Sequence, residues 1–196
     1  NEGNTEVYNA VFNGNKAVNG GAVYNEGTIS YLVGDFAGNS SENDAGAIGN
    51  SNRGVISSVT GNFTNNSATN NGGAINNSGT ITLFDSTFTG NTANSKPNSI
   101  YNSGTINIAD GSIVKINDGY SGTDSAILTI GTESTLNLAV NNGVIQTDNL
   151  GTVTNNGAIY WALDANLSNG QADSVSATLS SGNSIIINAI KLICND

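Results

Sequence analysis

The chain has no histidine and no methionine, and only one cysteine, one proline and one tryptophan among its 196 residues. Each scarcity closes off a class of chemistry. Without histidine there is no Cys–His or Ser–His nucleophile pair, and one cysteine is too few for a zinc site. Cys194 has no partner for an internal disulfide and reads as an incidental or buried residue. Only five lysines and arginines stand against fifteen acids, giving a net charge of −10 and a pI near 4.1. Such a chain cannot neutralise a phosphate backbone, so neither nucleic acid nor an anionic membrane surface is an expected partner. No apolar run approaches the ~18 residues of a transmembrane segment. No stretch combines helical periodicity with capping residues. Nothing at the start resembles a signal peptide. The opening Asn1-Glu2-Gly3-Asn4 falls mid-pattern, which is the expectation for an excised fragment.

What fills the space is Gly, Asn, Ser and Thr, punctuated by regularly placed Ile, Val and Leu, the β-branched and aliphatic residues of strands. Three signals recur in fixed order. The first is F-x-x-N, at Phe12–Asn15, Phe36–Asn39, Phe63–Asn66 and Phe88–Asn91, in steps of 24, 27 and 25 residues. The second is a small-residue signal: Gly20-Gly21-Ala22-Val23, Ala45-Gly46-Ala47-Ile48, Gly72-Gly73-Ala74-Ile75, decaying to Asn98-Ser99-Ile100. The third is N-x-G-[TV]-I: Asn25 to Ile29, Asn52 to Ile56, Asn77-Ser78-Gly79-Thr80-Ile81, and Asn102 to Ile106.

A period near 25 with short strands and Gly/Asn corners predicts an all-β fold: a parallel β-helix, or β-solenoid, of roughly eight coils. Crossovers between parallel strands favour the right-handed sense. The motif residues then have structural roles. Ile75 and Ile81 point inward, Gly73, Ala74 and Gly79 sit where backbones approach, and Asn77 turns a corner. Phe12, Phe36, Phe63 and Phe88 are a candidate internal stack, and Asn15, Asn39, Asn66 and Asn91 a candidate amide ladder.

After Ile106 the F-x-x-N signal disappears. Strand-like runs continue at Ser112 to Ile116, Ala126 to Ile130, Thr135 to Val140, Val144 to Thr147 and Thr152 to Thr154. N-x-G corners continue at Asn141, Asn149 and Asn155. With no linker composition between the parts, residues 1–196 read as one solenoid, regular over 1–106 and less regular over 107–196. The apolar run Ser184 to Ile193 would expose an edge if nothing covered it, so more coils or another domain are expected beyond it.

F-x-x-N paired with G-G-A-[ILV] resembles the repeat of the polymorphic outer membrane proteins. More broadly, the chain is similar to passenger regions of type V autotransporters and related bacterial surface adhesins. The match is fullest at Phe63–Ile75 and Phe12–Val23. The second copy has Ala45 for the first Gly, and the fourth lacks G-G-A. Tyr160-Trp161-Ala162-Leu163-Asp164, followed by Gln171-Ala172-Asp173-Ser174, resembles the segment where such passengers approach their C-terminal junction. The resemblance implies a right-handed parallel β-helix, secreted or displayed at the bacterial outer membrane. It implies attachment to host or bacterial surface proteins or glycans, with no catalytic residue and no cofactor. Self-association of the rod is a further expectation from its low charge.

Two other readings stand beside adhesion: a carbohydrate-active enzyme (polysaccharide lyase or hydrolase) and a purely structural stalk. A hydrolase needs two or three carboxylates converging, whereas the acids here are dispersed and Asp35 and Asp85 fall out of phase. Asp110, Asp118 and Asp124 form the densest acidic stretch and are weighed as calcium ligands, without any recognised loop spacing; Asn117-Asp118-Gly119 is a good turn in its own right. Among Tyr8, Tyr24, Tyr31, Tyr101, Tyr120 and Trp161, the pair Tyr24 and Tyr101 are nearly in phase and are candidate surface contacts.

Overall fold

The computed structural model describes residues 1–138 and 149–161, with strand fragments at Leu163–Asp164, Ser176–Leu179 and Ile190–Lys191. The stretch Asn141 to Thr147, the segment Gln171 to Ser174, most of the Ser184 to Ile193 run, and Cys194 lie outside the described residues. Within them there is no helix. Strands pair in parallel with their counterparts one coil on, building a parallel β-solenoid of about six turns. The expected eight turns came from dividing the whole length by one period, which counts residues outside the described set.

The interior is a set of stacked columns. Ile29, Ile56, Ile81, Ile106, Leu128 and Val153 follow one another in register. All are at most 2% exposed. Val23, Ile48, Ile75, Ile100 and Tyr120 form a second column. Phe12, Phe36, Phe63 and Phe88 form a third, continued by Ile116 and Leu138. The phenylalanine rings lie 4.6 Å apart at interplanar angles of 7°, 2° and 10°. That spacing is the strand spacing itself, ~4.8 Å, so the backbone repeat sets the stack.

Each lower coil carries one ten-residue strand: Asn4–Asn13, Thr28–Ala37, Val55–Thr64 and Thr80–Thr89. Such a strand cannot stay flat across a corner, and a bulge bends it. In Thr80–Thr89 the inward residues are Ile81 and Leu83 before the bulge and Ser86 and Phe88 after it. The phase change falls at Asp85, whose φ is 31°. Above this level the bulge opens into a turn. Thr105–Ile108 and Ile113–Ile116 both pair with Thr80–Thr89, and the next coil repeats the division as Ile127–Ile130 and Thr135–Leu138.

The two glycines of G-G-A do different work. Gly20 and Gly72 take φ of 58° and 65°, the left-handed region. Gly73 instead makes a close approach: a Cβ there would lie 2.4 Å from the Thr92 amide nitrogen of the next coil. Ala45, standing at the first-glycine position, is forced to φ 63°. Between the F-x-x-N corner and G-G-A, a loop excursion forms its own small sheet from Lys16–Ala17, Ser40–Ser41, Ser67–Ala68 and Thr92–Ala93.

Candidate functional site

Two buried columns of asparagine run along the axis. In the first, the Asn39 side chain makes four hydrogen bonds, its full capacity. Its Oδ1 accepts from the Asn15 backbone N–H (3.0 Å) and Nδ2 (2.9 Å), while its Nδ2 donates to the Phe12 carbonyl and the Asn66 Oδ1 (both 2.9 Å). Asn66 repeats the pattern toward Phe36 and Asn91. Aspartate offers no donor in this geometry, so it cannot occupy a middle rung. It occupies the last one: Asp118 Oδ2 accepts from the Asn91 N–H (3.0 Å), Asn91 Nδ2 (3.4 Å) and Ser99 Oγ (3.0 Å).

The second ladder runs Asn1, Asn25, Asn50, Asn77, Asn102, with Nδ2 to Oδ1 distances of 2.8–3.0 Å. It ends at Tyr120, whose hydroxyl accepts from Asn102 Nδ2 at 2.9 Å. Here the structure corrects the motif. The second-coil rung is Asn50, not Asn52, which is exposed. That corner carries extra residues before Gly54, and N-x-G matching picks the wrong asparagine. Of the aromatics weighed as sugar platforms if exposed, Tyr120 is 1% exposed and is not one. Burial raises its hydroxyl pKa well above the ordinary tyrosine value, with the Asn102 bond opposing.

The predicted motif residues Phe36, Phe63, Phe88, Asn39, Asn66, Asn91, Ala74, Ile75, Asn77 and Ile81 are buried. Phe12 and Asn15 open their columns in the first coil and are less covered. Gly79 makes a close approach, a Cβ there falling 2.2 Å from the Gly54 carbonyl oxygen. One regular signal escapes the F-x-x-N description. The residue before each ladder asparagine, Gly14, Gly38, Asn65 or Gly90, has φ between 54° and 74°. All four are Gly or Asn, and that choice was readable from the sequence.

Most described aspartates tie one coil to the next. Asp35 accepts from Asn62 Nδ2 (3.0 Å), Asp44 from the Asn71 N–H (3.0 Å) and Asp85 from the Ile113 N–H (2.9 Å). Asp110 accepts from the Thr132 N–H (2.7 Å) and Asp124 from Asn149 Nδ2 (2.8 Å). Asp110, Asp118 and Asp124 do not converge. Asp118 turns into the core, and among the described residues no three acidic, histidine or cysteine side chains gather into a metal-holding group.

On the outer face, Tyr24, Gly49, Asn76, Tyr101 and Ser121 occupy one column in register. Tyr24 and Tyr101 therefore share a position on different coils, and Tyr24 is 44% exposed. No protein-family model, curated protein or solved structure matches the chain. Beside Tyr24 is a hollow of about 170 Å³ lined by Asn19, Asp44, Gly49, Asn76 and Ser78 among others. The Tyr24 ring leans over Gly49, where a Cβ would come within 2.8 Å of Tyr24 Cδ2. Tyr8 and Tyr31 stack on each other at 5.5 Å elsewhere on the surface. The Trp161 side chain lies outside the described residues.

Proposed function

We propose that the chain is an autotransporter-type passenger segment, displayed at or released from the bacterial surface, that works by contact along its solenoid rather than by catalysis. The observation that supports this reading most is the division of labour between positions. Recurring motif residues serve the interior and the corners, while the outward column of Tyr24, Gly49, Asn76, Tyr101 and Ser121 varies from coil to coil. A surface that varies over a fixed scaffold suits recognition of a host-cell or bacterial surface molecule. A lyase or hydrolase is less well supported, because the described aspartates are engaged as coil-to-coil acceptors.

The test is binding of the purified full chain, coupled to fluorescent beads, to panels of epithelial and bacterial cells. Saturable binding that falls in the Tyr24→Ala, Tyr101→Ala double variant is the expected result. No binding to any cell type would sink the contact reading and leave the stalk in its place.

A further inference from the structure

The contact reading leaves open what chemistry the surface takes, and the hollow beside Tyr24 bears on that. We infer that this hollow is a binding site for a neutral sugar unit of a surface glycan; the inference rests on the contact reading above. The Tyr24 ring supplies an aromatic wall, 44% exposed and held over the bare backbone of Gly49. The negative face of such a ring attracts the polarised C–H face of a pyranose.

The same hollow is lined by hydroxyl-binding groups of mixed polarity. Asp44 is fixed in place because its Oδ1 accepts from the Asn71 N–H at 3.0 Å. Its other oxygen is left as an acceptor for a sugar hydroxyl. Asn19 and Asn76 add amides that both donate and accept, and Ser78 adds a hydroxyl. A ring face with amide, hydroxyl and carboxylate partners is the combination that sugar hydroxyls satisfy.

The charge narrows the class. No lysine or arginine lines the hollow, and its one ionised side chain is Asp44, on a chain of net charge −10. Sialylated, sulfated and phosphorylated ligands are repelled, and a nucleotide finds no cation for its phosphates. Along the axis, Asn76 occupies the rung next to Tyr101. Tyr101 stands three rungs, or about 14 Å at the strand spacing, from Tyr24. It offers a second platform for a glycan lying parallel to the axis.

The experiment is a titration of the full chain against immobilised neutral hexose and N-acetylhexosamine oligomers, with sialylated and sulfated counterparts, beside the cell-binding assay. Neutral oligomers are expected to bind, with a loss of about tenfold or more in Tyr24→Ala and a smaller loss in Tyr24→Phe. Asp44→Asn is expected to weaken neutral binding by a few-fold, while keeping the Oδ1 acceptor for Asn71. Circular dichroism and melting of each variant separate lost binding from lost fold. Neutral binding undiminished in a folded Tyr24→Ala chain overturns the inference, as does binding confined to anionic glycans. Binding to cells without binding to neutral sugars also overturns it but leaves the contact reading standing. Binding to neither removes both.

Discussion

The lower coils, residues 1–104, and the described upper coils, 105–138 and 149–161, share a core but hold it differently. In the lower coils the phenylalanine and asparagine columns are each made of one residue type, and glycine meets the backbone of the next coil at Gly21, Gly46 and Gly73. In the upper coils the columns persist while their residues change. Ile116 and Leu138 follow Phe88, and the asparagine ladders give way to Asp118 and Tyr120. The loop excursion is dropped at the same level. In the third coil the chain runs from Asn66 through Gly72-Gly73 to Ile75, whereas above it Asp118 is followed at once by Gly119 and Tyr120. The small sheet of the excursion ends in an antiparallel strand, Lys96–Pro97, folded back on Thr92–Ala93 through Asn94 and Ser95. Proline has no N–H to offer, so this strand is a poor template for further pairing. The phenylalanine stack and the two asparagine ladders thus stop at one level, one coil beyond the last G-G-A at Gly72-Gly73-Ala74, and are followed by Ile116, Asp118 and Tyr120. The difference teaches that the solenoid continues in register on stacked apolar residues and backbone pairing after the phenylalanine stack and the asparagine ladders have ended, with Asp110 and Asp124 still tying coil to coil.

Substitutions can break that comparison, beginning with the largest effect. Gly73→Ala places a Cβ against backbone of the next coil, which cannot yield cheaply. A loss of about 4 kcal/mol or more, or failure to fold, is expected in urea unfolding; Gly111→Ala, with open space around it but a φ of 69°, should lose only about 1 kcal/mol. Next is Asn66→Asp, which removes the donors to Phe36 and Asn91 and buries a charge mid-ladder. A cost of about 3 kcal/mol is expected, whereas Asp118→Asn, at the terminal rung, should cost under about 1 kcal/mol because an acceptor oxygen remains. Equal losses at the two sites would undo the distinction between middle and end. Phe63→Leu should cost about 1.5 kcal/mol, since leucine already serves this column at Leu138; a loss like that of a full truncation would show that ring stacking is indispensable below. The smallest effect is a gain. Ala45→Gly relieves a left-handed alanine and should stabilise by about 1 kcal/mol, read as a raised melting temperature.

The solenoid, its period, the phenylalanine stack and the first ladder were legible because repetition exposes them: a position that must match its neighbour above and below keeps its residue. The same logic misled at Asn52, where N-x-G was matched by spelling although the ladder requires alignment with Asn25 and Asn77. Asp118 and Tyr120 were not legible as ladder ends. Each occurs once in its role, and a single aspartate in a turn or a single tyrosine in a strand has the appearance of a surface residue. Nor does the sequence show the hollow, because its walls come from coils whose loops differ in length, Asn19 and Asp44 on the excursions and Gly49 and Asn76 on the strand column.

The asparagine columns have one more property. In each, every amide is oriented alike, oxygen toward the lower coil and nitrogen toward the upper. Aligned amide dipoles add, as peptide dipoles do along a helix. The first column therefore presents its positive end at Asn91, and the acceptor oxygen of Asp118 sits there, as a capping side-chain oxygen sits at a helix N-terminus. Shielded by burial from the salt that screens surface charge, the rod has a fixed electrical polarity. That polarity is internal: the donor end of each column is closed within the solenoid, by Asp118 in one and Tyr120 in the other, with further coils stacked above.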